Sequence, residues 1–188
     1  MKVRFSTSPP KGDRVHHITP DDVEVVLSRL PDEVYSRLRA VHFNDRAWGN
    51  RRPGYTTARG RREIAICALP GRMSFTPFLH RRQSPRQFGA RRGAQWPELA
   101  IRRFLLYDVL LHEIGHLQEI IPGAKNPKRR FASETKAQEF ADSWRRRLWA
   151  KHYDHPDPVH NRPSKEELAL LENDKDTGLS QSAPEDQI

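Results

Sequence analysis

Val109-Leu110-Leu111-His112-Glu113-Ile114-Gly115-His116-Leu117-Gln118 sits inside a mostly apolar stretch from Pro97 to Ile121, and its reading decides the rest of the chain. The stretch predicts a helix, opened by Pro97 at its first position and closed by Ile121-Pro122-Gly123. On a helix His112 and His116, four residues apart, stand one above the other on a single face, so both imidazoles can reach one metal ion. Glu113 points about 100° away, near enough to hold a water without ligating the metal itself. Three ionisable groups within five residues, flanked by Leu110, Leu111, Ile114 and Leu117, are costly to bury unless something compensates them. A zinc ion does so.

Catalytic zinc usually takes three protein ligands and leaves a position open for water. Residues 133–149 read as a second helix with Ser133 as N-cap and Glu134 in the first turn, where the helix dipole favours a carboxylate. Ala137 beside it lets two helices approach closely. Glu139 competes, but it lies about 140° round the helix from Glu134, so only one of the two can face the metal. Cys67 offers a third donor, since a thiolate is a good zinc ligand; its alternative is a small buried residue of a strand.

His112-Glu113-Ile114-Gly115-His116 followed by Glu134-Thr135-Lys136-Ala137-Gln138-Glu139-Phe140-Ala141 resembles the zincin metallopeptidases of the glutamate-ligand type, with the ExxA(D/N)xFA signature of the ImmA/IrrE peptidases as the nearest pattern. The likeness covers residues 97–141. It implies Glu134 as third ligand, Glu113 as general base and one zinc per chain. Gln138 stands where that family has Asp or Asn, and its amide can accept a proton from one imidazole. Gly54 to Pro70 followed by a long HExxH helix is similar in layout to the SprT-like proteases, which take a third His; here the next is His152. Cys67-Ala68-Leu69-Pro70-Gly71 with the same HExxH faintly resembles peptide deformylase, which implies an amide hydrolase using Cys67.

Outward from the motif, Thr19-Pro20-Asp21-Asp22 starts a helix with an apolar face at Val23, Val26, Leu27 and Leu30, and Pro31-Asp32-Glu33 restarts one carrying Val34, Leu38 and Val41. Val3 to Ser6 reads as a short strand, Asn44 to Tyr55 as a loop, and Glu63 to Leu69 as the best strand of the chain. In zincin-type folds the edge strand before the HExxH helix binds an extended substrate by backbone pairing, so residues 62–70, with Ile64, Ile66 and Ala68, are the candidate substrate strand. Arg72 to Gln95, poor in aliphatics, reads as a long surface loop that could serve as a lid. The expected fold is α+β: a small zincin-like domain over 1–155, with a short mixed sheet packed on the active-site helix and the ligand-bearing helix. Residues 156–188 are expected as a Pro-rich linker, a short helix opened by the Ser164–Glu167 capping box, and an acidic disordered tail.

Between Asn44 and Arg103, 14 Arg face only Asp45, Glu63 and Glu98, and the whole chain carries a formal net charge of +9. Such a surface attracts polyanions, so nucleic acid is a candidate partner through residues 44–103 beside a peptide or protein substrate. One Cys in 188 residues excludes an internal disulfide and makes a reducing, cytoplasmic setting the default. No apolar run suits a membrane.

The expected chemistry is zinc-assisted hydrolysis of a peptide bond, with Tyr153 and His155, together with His152, as candidate oxyanion donors. The alternative is a basic nucleic-acid-binding protein whose zinc site is structural or vestigial.

Overall fold

Arg4-Phe5-Ser6-Thr7 forms the first strand, β1 (Arg4–Thr7), in a computed structural model that describes residues 2–46, 52–57, 61–118, 127–151 and 154–173, with 127–131 and 173 described as backbone only. After the two-residue β2 (Arg14–Val15) comes α1 (Pro20–Ser28). It begins as its residues dictate: the Thr19 hydroxyl accepts from the Asp22 backbone N–H, and the Asp22 carboxylate accepts from the Thr19 N–H at 2.8 Å.

The expected second helix is only one turn, α2 (Asp32–Tyr35), and Val41 belongs to a strand, β3 (Ala40–Asn44). β3 pairs in parallel with β1 on one side and with β5 (Glu63–Cys67) on the other, and those two ladders hold the chain extended. β4 (Gly54–Thr56), where a loop was expected, pairs antiparallel to β5 and closes the order β1-β3-β5-β4. A separate two-stranded ribbon joins β2 to β6 (Leu69–Pro70). The fold is a small α+β domain with a short mixed sheet and several helices.

The topology corrects one expectation directly. β5 is an interior strand, paired on both sides, and Ile64 and Ile66 are buried with their backbone groups already engaged. Ala68, just past the strand, is buried too and donates its N–H to the Asn44 carbonyl at 2.7 Å. These residues cannot receive an added strand. The outer strand on that side is β4.

The central helix is continuous from α3 (Glu98–Phe104) through a π-helical segment, Leu105–Leu110, into α4 (Leu111–Gln118). Pro97 precedes its first turn, and residues 121–123, expected to end it, lie outside the described residues. Leu105, Leu106, Leu110, Leu111 and Ile114 are fully buried in the core with Val41, Phe43, Ile64 and Ile66 of the sheet. Sheet and helix meet tightly at Gly54, where a Cβ would lie 2.6 Å from the Val109 Cγ1. Only glycine fits there.

Two segments expected to be loose are pinned. Residues 72–95 carry two short 3-10 turns, and Phe75 and Phe88 are buried with Trp96 and Phe104 in an aromatic cluster whose neighbouring rings lie 5.3–6.1 Å apart. Aromatic rings bury large areas each, so few are needed to fix a segment that lacks aliphatics. The expected linker after His155 is also seated on the core: Val159, His160 and Pro163 are buried. Arg103 donates to the Pro158 carbonyl at 3.0 Å and pairs with Glu167 at 3.0 Å, while Arg29 donates to the His160 carbonyl at 2.6 Å. These guanidinium groups supply the donors that the strap's backbone and carboxylates require. α6 (Lys165–Asn173) follows, opened by reciprocal Ser164 and Glu167 bonds at 3.1 and 2.8 Å. The acidic tail, 174–188, lies outside the described residues. No helix among the described residues is long and apolar enough to cross a membrane.

Candidate metal centre

α4 carries His112 and His116 on one face, their ring centroids 4.7 Å apart and their planes at 84°. α5 (Pro127–Ala150) crosses α4 at that face. A Cβ on Gly115 would lie 3.0 Å from both the Cα and the carbonyl oxygen of Ala137, and 3.2 Å from the Phe140 Cβ. Glycine on one helix opposite alanine on the other is therefore what lets the backbones come this close. One turn before Ala137, Glu134 reaches across.

The Glu134 Oε2 lies 3.3 Å from the His112 Nε2 and 3.5 Å from the His116 Nε2. These distances match the edge of a tetrahedron with bonds of about 2.0–2.1 Å, which is about 3.3 Å. Donor set and spacing thus fit zinc. Both imidazoles are mostly enclosed, whereas half of the Glu134 side chain is exposed, which leaves the centre open on one side. Glu139, the competing carboxylate, is exposed and takes no part in the cluster.

The electrostatics of the triad favour a positive charge. Burial pushes the His112 imidazole down, but its bond to Glu134 and the charges of Glu113, Glu134 and Asp108 outweigh that and raise it above the ordinary value. Contacts with His112 and then His116 hold the Glu134 carboxyl far below the usual carboxylate range, against the effect of burial. A site that holds a carboxylate charged and draws protons onto imidazole offers a cation the same welcome.

The remaining imidazole nitrogens also have partners. The Gln138 Oε1 lies 3.0 Å from the His112 Nδ1, and the Ser133 hydroxyl lies 3.3 Å from the His116 Nδ1. Ser133 was expected as a helix cap; instead α5 begins at Pro127, and Ser133 stands inside it, facing α4. Proline at the first helical position supplies a start seven residues before the one a Ser133 cap would give. Glu113 is buried beside the pair, and its Oε2 accepts from the Thr56 hydroxyl of β4 at 2.7 Å.

The other expected site residues lie elsewhere or beyond description. Cys67 is buried and belongs to neither group of clustered metal-ligand side chains among the described residues. Burial pushes its thiol up to about 12, which makes a thiolate ligand costly. His155 packs its ring against His160 at 4.5 Å, and its bonds run to Asp157 and Asn161, so it is engaged in the C-terminal strap. Tyr153 and His152 fall outside the described residues.

Sequence reasoning missed Thr56, the role of Ser133, and a buried polar group behind His112. A signal existed for the last. Asp108 lies one turn before His112 on the same helix, and Gln138, Asp142 and Arg145 follow Glu134 at helical spacing. Compared with protein-family models, with curated proteins and with solved structures, the chain matches none.

Proposed function

We propose that this chain is a zinc-dependent peptidase of the zincin type. The observation that carries the reading is the convergence of His112, His116 and Glu134, with ligand atoms all within 4.8 Å of one another, next to a buried Glu113. Zinc held by those three side chains would supply Lewis acidity and make an attacking water acidic enough to ionise near neutral pH. Glu113 takes the proton from that water as it attacks the peptide carbonyl and passes it to the leaving amine. Thr56 holds one carboxylate oxygen of Glu113 and leaves the other for the water.

Thr56 also ties the base to the outer strand. β4 is the outermost strand of the described sheet on the side of Glu113, so an extended peptide laid along it would add a strand beside that carboxylate. This role passes to β4 from β5. The substrate class is then an extended or unfolded segment of a protein.

Arg81, Arg82 and Arg92 are exposed. They support a second, compatible property, attraction of nucleic acid or another polyanion to the basic surface, which would bring the peptidase to polyanion-bound substrates. Zinc analysis of the purified protein tests the main reading. Wild type should carry about one zinc per chain and lose it in His112→Ala and in Glu134→Ala. Glu113→Gln should keep the zinc and lose peptide hydrolysis; hydrolysis that survives this change refutes the assignment.

A further inference from the structure

Behind His112 lies a largely buried polar group. Gln138 is 6% exposed, Asp108 4%, Arg145 3% and Gln83 4%. The Gln138 Nε2 donates to the Asp108 Oδ1 at 3.0 Å and to the Asp142 Oδ1 at 3.2 Å. Arg145 donates to the Asp108 Oδ1 at 2.6 Å and to the Asp142 Oδ1 at 2.5 Å, with its guanidinium 5.2 Å from the Phe88 ring centroid. Gln83 adds a third donor to the same Asp108 oxygen.

The polarity of this group follows from valence alone. Ionised Asp108 and Asp142 can only accept, so they must face the nitrogen of the Gln138 amide, and its oxygen is turned to His112. An amide oxygen can only accept as well. The His112 Nδ1 must therefore carry a proton, and Nε2 is the nitrogen that faces Glu134 and the candidate metal position. A neutral imidazole in water has no such obligation. Arg145 pairs with both carboxylates, the buried Asp108 and the partly exposed Asp142, and helps hold them against the Gln138 amide.

We infer that Asp108, acting through the Gln138 amide, fixes His112 in its Nδ1–H tautomer and so presents Nε2 as a ready metal ligand. Asp108 and Gln138 are positioning residues of the centre, supported by Arg145 and Gln83. Gln83 comes from the Arg-rich segment, which thereby becomes part of the metal centre's support. The inference rests on the metal-binding reading above but has a readout that needs no metal.

Two measurements on the full chain test it. Zinc competition against a chromophoric chelator should show affinity reduced by about 10–100-fold in Gln138→Met and in Asp108→Ala. The double variant should lose no more than the worse single one, because both act on one bond. Nitrogen-15 NMR of the metal-free protein, above the titration range of histidine, should find His112 protonated at Nδ1 in wild type and shifted towards Nε2–H in both variants. If Asp108→Ala does not fold, Asp108→Asn serves, because an uncharged amide no longer dictates which end of Gln138 it meets. Unchanged zinc affinity in Gln138→Met, additive losses, or a wild-type His112 carrying its proton on Nε2 overturns the inference. A wild type that binds no zinc but shows the Nδ1–H tautomer would sink the peptidase reading and leave this one standing.

Discussion

His112, His116 and Glu134 on one side of the central helix, and Asp22, Asp157 and His160 on the other, each bring three ligand-type atoms within 4.8 Å. The donor sets are alike, yet their neighbours differ. In the second cluster Arg102 lies 3.0 Å from Asp22 and 2.7 Å from Asp157, so the positive charge that two carboxylates require is built into the protein. The Glu134 carboxylate instead meets two imidazoles that are neutral unless protonated. What would separate a structural ion cluster from a metal centre is thus who supplies the cation, and the residue types within the cluster do not reveal it.

The largest effect expected from that contrast is on stability in zinc. With free zinc at about a thousand times its dissociation constant, unfolding should cost about 4 kcal/mol more than in chelator. Glu134→Ala should abolish this gain, and Asp22→Asn should retain it. Denaturant titrations with and without zinc decide the matter, and a gain that vanishes in Asp22→Asn would mean that the wrong cluster was chosen.

Arg102→Met should remove about 3 kcal/mol by leaving Asp22 without its guanidinium, with zinc stoichiometry unchanged. Urea unfolding and metal analysis of the same sample would read both. Gly115→Ala should cost about 1–3 kcal/mol, because the new methyl pushes α4 away from Ala137, and it should also weaken zinc binding. A stable Gly115→Ala chain with wild-type zinc affinity would show that helix spacing does not set the centre.

The smallest effect concerns acid. Burial pushes the Asp22 carboxyl up, but contacts with His160, Thr19 and Arg102 prevail and hold it at about 2, below its ordinary 3.8. A depressed carboxyl contributes stability that is fully present above its unfolded value and is lost as pH falls through its folded value. Wild type should therefore lose stability as pH drops from 3.8 towards 2, and Asp22→Asn should flatten that part of the curve. Acid titration followed by circular dichroism compares them.

How far the sequence could be read follows from where the information was local. His112, Glu113 and His116 share one helix and the Thr19 cap one turn, and that helix and that cap are present; Glu134 comes from a second helix that begins at Pro127, so it does not sit in the first turn expected of it. β3 was misread because Val34, Leu38 and Val41 fit a helical stripe; two parallel ladders override that pattern, and parallel pairing leaves no mark in the strand itself. β4 is too short to announce itself between Gly54 and Thr57. Arg102 and Arg103 were counted in the basic surface, yet Arg103 is buried and both bind carboxylates brought from distant sequence. Composition records a charge but not its partner.

The π-helical turn at Leu105–Leu110 gives this architecture a phase as well as a shape. Such a turn holds one residue more than its α-helical counterpart, and each residue of a helix advances the side chains by about 100°. Deleting a single residue there would keep the apolar character of the helix while swinging His112 and His116 out of line with Glu134. The convergence of these three side chains depends on a count of residues upstream of them, so a chain of nearly identical composition could fold and still hold them apart.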